Sequence, residues 1–220
     1  MRPPPAPELL AMSSSAHANF SLSFTAASLR PELARIVADC YLNTGDWGTA
    51  KKRVLSENAL QCRSSASSVR LERELRQRLQ CLTEAEIVLL ATSTSNERVL
   101  LAWLAAVKQS SFLFDFAAEE LRFKLEMHDP VLRSSDYDRF VEEKSGPHPE
   151  LSQLSESSSI KVRRVLLLML REAGILHDGE DLGEIRRPVV PLAITKAIRA
   201  DNARWLAAFL VPENEIHTDS

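Results

Sequence analysis

Gly45-Asp-Trp-Gly-Thr-Ala-Lys-Lys-Arg-Val-Leu-Ser-Glu57, then Asn58-Ala-Leu-Gln-Cys-Arg63, then Ser64-Ser-Ala-Ser-Ser-Val-Arg-Leu-Glu-Arg-Glu-Leu-Arg-Gln-Arg-Leu79, carries the plainest helix signals in the chain. Gly45 supplies the left-handed residue that ends one helix, and Asp46 supplies the carboxylate that caps the next. A helix is predicted from about Trp47 to Glu57. The pattern breaks over 58–63, and the Ser64-Ser65 pair caps a second helix reaching about Leu82. On it Leu71, Leu75, Leu79 and Leu82 recur at steps of four, four and three, which makes one apolar, buried stripe.

Opposite that stripe lie Ala66, Arg70, Arg73 and Gln77, with Arg76 and Arg78 on the flanks and a run of serines in the first turn. Hydroxyls and free N–H groups at a helix start suit phosphate, and arginine pairs bidentately with guanine. Helix, turn and basic helix together read as helix-turn-helix-like, although the Asn58–Arg63 turn is longer than the usual one. The candidate DNA contacts here are Arg63, Ser64, Ser65, Ser67, Ser68, Arg70, Arg73, Arg76 and Gln77. The bland alternative is a solvated face, since surface helices carry arginine opposite leucine for solubility. Charge segregation favours the polyanion: Asp46–Leu82 holds eight Lys/Arg against four Asp/Glu, a balance of +4, whereas Glu84–Glu150 holds seven against thirteen, a balance of −6.

Met1–Ala18 is rich in Pro, Ser and Ala, lacks the long apolar run of a signal peptide, and reads as a flexible tail. Phe20-Ser-Leu-Ser-Phe-Thr25 alternates and is expected to dock as an extended piece with Phe20, Leu22 and Phe24 inward. Pro31 opens a helix to about Asn43. Residues 19–82 thus form an N-terminal helix-turn-helix-like unit. A helical, acidic middle follows over 83–150, started by the Thr83-Glu-Ala-Glu86 capping box and containing Trp103, Leu104, Phe112, Phe116 and Leu121 as core.

Residues 151–211 repeat the opening theme. A helix over Ile160–Ala173 turns Val162, Leu166, Met169 and Leu170 inward and Lys161, Arg164 and Arg171 outward, with Arg163 flanking. Gly174 stops it, and a hairpin of 175–177 and 185–190 follows, with Arg186 and Arg187 at its edge. That outline is winged-helix-like, and Lys161, Arg163, Arg164, Arg171, Arg186 and Arg187 complete the candidate DNA contacts. A last helix runs from Leu192 to Phe209 with a break near Asp201, and 212–220 is expected to be a flexible tail.

The chain has 220 residues, 45% of them apolar and six glycines, so a mostly α, multi-helix protein with ample core is predicted. Cys40, Cys62 and Cys81 are an odd number without close pairing, which suits a reducing cytoplasm. The longest apolar run, Val99–Val107, covers only about 13 Å, too short to span a membrane. His17, His128, His148, His177 and His217 show no metal-ligand spacing, and no cofactor or metal is expected. Asp129 with Glu142-Glu-Lys144 resembles a nuclease set but sits in a charged helical stretch. Gly45-Asp-Trp-Gly48 lacks the sheet of a KH module, and Ser158-Ser-Ile-Lys161 lacks the companions of a serine nucleophile. A non-enzymatic protein is predicted.

Phe20-Ser-Leu-Ser-Phe-Thr25, Gly45-Asp-Trp47, Arg53-Val-Leu-Ser-Glu-Asn58, Glu74-Leu-Arg-Gln-Arg-Leu79 and Leu170-Arg-Glu-Ala-Gly-Ile-Leu176 together resemble the BrxA family of BREX (bacteriophage exclusion) defence loci of bacteria and archaea. The likeness runs from about Asn19 to the final helix. It implies a helical, non-enzymatic double-stranded DNA-binding protein with a NusB-like fold, working with the BREX methyltransferase, ATPase and phosphatase-like components. It supplies no residue-level base code, so the site residues rest on the helical wheel. A protein-interaction adaptor and an RNA-binding protein are the alternatives.

Overall fold

A computed structural model describes residues 20–217; the expected N-terminal tail, Met1–Ala18, lies outside them, as does the end of the expected C-terminal one. The first three long helices follow their sequence signals closely. Pro31 starts α1 (Pro31–Thr44), and Gly45 ends it at a φ of 67°. The Asp46 carboxylate accepts the Thr49 amide at 2.6 Å and opens α2 (Trp47–Ser56). Ser64 Oγ accepts the Ser67 amide and opens α3 (Ser65–Leu79). These helices pack on one another, with Val37, Val54, Leu75 and Leu79 buried between them.

Two capping boxes start the next pair, α4 (Glu84–Thr92) at Thr83/Glu86 and α5 (Ser95–Gln109) at Thr94/Glu97. The fully buried Trp103 and Leu104 make α5 the central helix, and Trp103 Nε1 donates to the Ala208 carbonyl. Because the Thr83 hydroxyl takes the Glu86 amide, Thr83→Ala is expected to lower stability by about 1 kcal/mol, with Thr83→Ser nearly neutral, in urea unfolding.

The chain then bends by 114° into a second apolar helix, Ser111–Glu126. That helix is interrupted: α6 (Ser111–Asp115) and α7 (Arg122–Glu126) flank a π-helical segment, Phe116–Leu121. The residues alone predict one helix from about Ser111 to Met127. Phe112, Phe116 and Leu121 are wholly buried, as expected of core residues. Among the described residues no single helix is long and apolar enough to cross a membrane.

After β1 (Val131–Leu132) come α8 (Ser134–Ser145), the short α9 (Pro149–Ser152) and α10 (Glu156–Glu172). Gly174, at a φ of 70°, closes α10 as the Ile175 amide reaches back to the Leu170 carbonyl. The expected hairpin exists but is shorter: β2 (Leu176–His177) pairs with β3 (Gly183–Ile185). Pro188, which has no N–H, sits in the stretch that does not join the ladder. β1 adds to the far side of β3 in an antiparallel sheet of order β1-β3-β2, so the segments 83–150 and 151–211 share one sheet.

α11 (Leu192–Asn202) passes into a 3-10 turn, Ala203–Phe209, at the break expected near Asp201. Residues 213–216, expected in a tail, instead form α12 (Glu213–Ile216), because Ile216 is buried and its carbonyl accepts from Arg199. The N-terminal piece also departs from expectation: Ser23–Ala26 is a 3-10 turn rather than extended chain. Phe20 and Phe24 are nevertheless buried against Phe112. The protein is mostly α, and one continuous apolar core runs from Phe20 to Ile216.

Candidate nucleic-acid interface

α3 turns its leucines inward, and its polar residues divide into two sets. Ala66, Arg70, Arg73 and Gln77 are exposed, as the wheel required. Among the described residues Arg70 and Arg73 have no carboxylate partner, and neither has the exposed Arg63 at the mouth of the helix. Ser64, Ser65 and Ser67 are exposed in the first turn, with Ser64 and Ser67 joined Oγ to Oγ at 2.9 Å.

Two predicted contacts, Arg76 and Ser68, and the flanking Arg78 face elsewhere. Arg76 Nε donates at 2.8 Å to Glu72, whose side chain is wholly buried, so this guanidinium compensates an interior charge. Arg78, a flank of the wheel, is only 2% exposed and donates to the carbonyls of Phe24, Ala27 and Ser28 as well as to Glu74. Burial pushes its pKa down, while Glu74 and Glu172 hold it up. Ser68 is buried too, at 5% exposed.

On α10, Lys161 and Arg164 are exposed and unpartnered among the described residues. Arg163 is half-buried, 5.1 Å over the Tyr137 ring and 3.7 Å from Asp138. Arg171 pins the hairpin through the Leu182 carbonyl at 2.9 Å. The two hairpin arginines are ion-paired at the surface, Arg186 with Glu184 at 2.7 Å and Arg187 with Glu215 at 3.4 Å. The hydrogen bond from Arg186 holds the Glu184 carboxyl below its usual range.

The 3-10 turn packs against both α3 and α10. The Leu29 amide, just after it, donates to Glu172 at the end of α10 at 2.8 Å. Beside it sits Arg30, an exposed residue that the sequence reading missed. It takes a left-handed φ of 49°, and it lines a depression of about 150 Å³ together with Ser67 and Arg70. Only its place immediately before the helix-starting Pro31 marks it in the sequence. Among the described residues no group of three or more His, Cys, Asp or Glu could hold a metal ion.

A protein-family model described as BrxA matches residues 18–202, which take in every helix from α1 to α11 and every arginine considered above. The chain belongs to the BrxA family. Its BrxA relatives include BREX protein BrxA of Escherichia coli O9:H4 (strain HS), 28% identical over 141 residues that cover 64% of this chain and 66% of that one. BREX protein BrxA of Bacillus cereus (strain H3081.97) is 22% identical over 150 residues, 68% of this chain and 75% of its own. An uncharacterized protein from Magnetospirillum magneticum, known from its crystal structure, shares the fold with a TM-score of 0.75. It is 20% identical, and the likeness covers 88% of this BrxA-family chain and 98% of the other.

Proposed function

We propose that this BrxA-family protein is a non-enzymatic, cytoplasmic component of a BREX phage-defence system that binds double-stranded DNA, with the outer face of α3 as its principal contact. The observation that carries the reading is the division of α3's arginines: Arg76 and Arg78 serve internal carboxylates, whereas Arg70 and Arg73, with Arg63 at the helix mouth, are left to solvent. Arg63 and the first-turn serines hold phosphates, and Arg70, Arg73 and Gln77 approach the groove in a helix-turn-helix-like manner. Lys161 and Arg164 make a second phosphate contact. The acidic middle faces the other BREX proteins, the methyltransferase, ATPase or phosphatase-like component.

One observation favours a protein partner on α10 instead. Its outer face also exposes Ile160 (60%) and Leu168 (44%), apolar groups that gain nothing from phosphate. Fluorescence anisotropy with duplex DNA, single-stranded DNA and RNA separates these readings. Duplex preference is expected, with log K falling against log salt at a slope of about −0.9 per phosphate contacted. Preference for RNA, or no duplex binding, overturns it in favour of RNA binding or of an adaptor.

A further inference from the structure

The connection between α2 and α3 encloses a cleft of about 390 Å³, lined on its polar side by Asn58, Arg63, Ser65 and Ser68 and on its apolar side by Leu55 and Val69. Three features of this cleft converge on one kind of ligand. α3 begins here and is long enough to carry a helix field. Of its first amides, Ser67 donates to Ser64 Oγ and Ser68 to the Ser64 carbonyl. Those of Ser65 and Ala66 have no acceptor in the helix. The Ser68 hydroxyl, in a residue 5% exposed, has no hydrogen-bond partner. A buried hydroxyl without a partner is rare in folded proteins and calls for an explanation. Arg63 adds an unpartnered positive charge at the rim, and no carboxylate lines the cleft.

We infer that this cleft is a phosphate-binding site, in which the Ser65 amide, the Ser68 hydroxyl and the Arg63 guanidinium donate to phosphoryl oxygens. The inference rests on the DNA reading for its natural ligand, a backbone phosphodiester, though its chemistry fits free phosphate equally. The neighbouring depression, which carries Arg30, Ser67 and Arg70, shares Cys62 with the cleft and continues the same donor surface along α3.

The test is a heteronuclear NMR titration of the full chain with inorganic phosphate, against sodium chloride at matched ionic strength. Phosphate should move the Ser65 and Ser68 amide signals, and chloride should not. Ser68→Ala should weaken phosphate binding about tenfold. It should melt no lower than wild type, because the hydroxyl it removes has no internal partner. Arg63→Ala, at an exposed position, should weaken binding similarly. Equal movement with chloride, or a Ser68→Ala protein that titrates like wild type, overturns the site. A duplex titration of the same proteins separates the two readings. If wild type binds duplex and both variants bind it equally well, the cleft is wrong and the DNA reading stands. If phosphate enters the cleft but duplex is not bound, the cleft stands as a free-phosphate site and the DNA reading falls.

Discussion

Arg78→Ala is expected to lose about 3–5 kcal/mol of folding stability, a drop in Tm on the order of 10 °C for a chain of this length. The guanidinium closes the joint between α3 and the N-terminal turn with bonds to Ser28 at 2.7 Å, Ala27 at 2.8 Å and Phe24 at 3.2 Å. Its remaining contact is Glu74 at 3.0 Å, in a pair whose side chains are 3% and 4% exposed. Alanine would strand an interior carboxylate and three carbonyls at once, and desolvated groups of that kind cost far more to orphan than to pair. Arg78→Met keeps much of the volume and should be nearly as damaging. Adding Glu74→Gln should recover part of the loss, because the stranded charge disappears. Thermal unfolding of the three variants reads this out, and a single Arg78→Ala that melts with wild type would contradict the burial of this residue.

Alanine at Arg63, Arg70 and Arg73 together should do the reverse: leave stability within about 0.5 kcal/mol of wild type and lower duplex affinity on the order of 100-fold at moderate salt. None of the three holds a carboxylate among the described residues, so nothing internal is lost when they go. Each provides a phosphate or groove contact whose removal releases fewer counterions. Arg76→Ala separates binding from folding. It should destabilise the protein by leaving Glu72 unpaired inside, and barely change duplex affinity in the population that remains folded.

These contrasts are partly visible in the sequence. Caps at Asp46, Ser64 and Thr83, the glycine stops at 45 and 174, and the leucine stripe of α3 depend on neighbours a few positions away, and each forms where local chemistry placed it. The wheel alone put Arg76 with Arg70 and Arg73, and a finer local rule separates them. Glutamate four residues before arginine is the favourable order on a helix, and Glu72–Arg76 and Glu74–Arg78 both obey it. No acid lies three or four positions before Arg70 or Arg73.

What the sequence did not carry depends on distant partners. The two-residue β1 has no periodicity of its own and exists because Val131 and Leu132 meet Glu184 and Gly183 across the chain. The π segment at Phe116–Leu121 has no local breaker to announce it. Arg163, flanking the α10 wheel, and Arg187, at the hairpin edge, looked free because Asp138 and Glu215 are remote in sequence. Arg30 escaped notice because its exposure depends on a turn the sequence presented as extended chain.

In this proposal DNA meets the unpartnered arginines of α3. The decisive measurement is the salt dependence of duplex binding, taken side by side for wild type and for the Arg63, Arg70 and Arg73 triple alanine variant. Wild type should show a steep inverse slope of log K against log salt, and the folded variant a slope shallower by about two to three units with much weaker binding. A folded variant with wild-type affinity and wild-type slope would put the DNA contact elsewhere on the molecule.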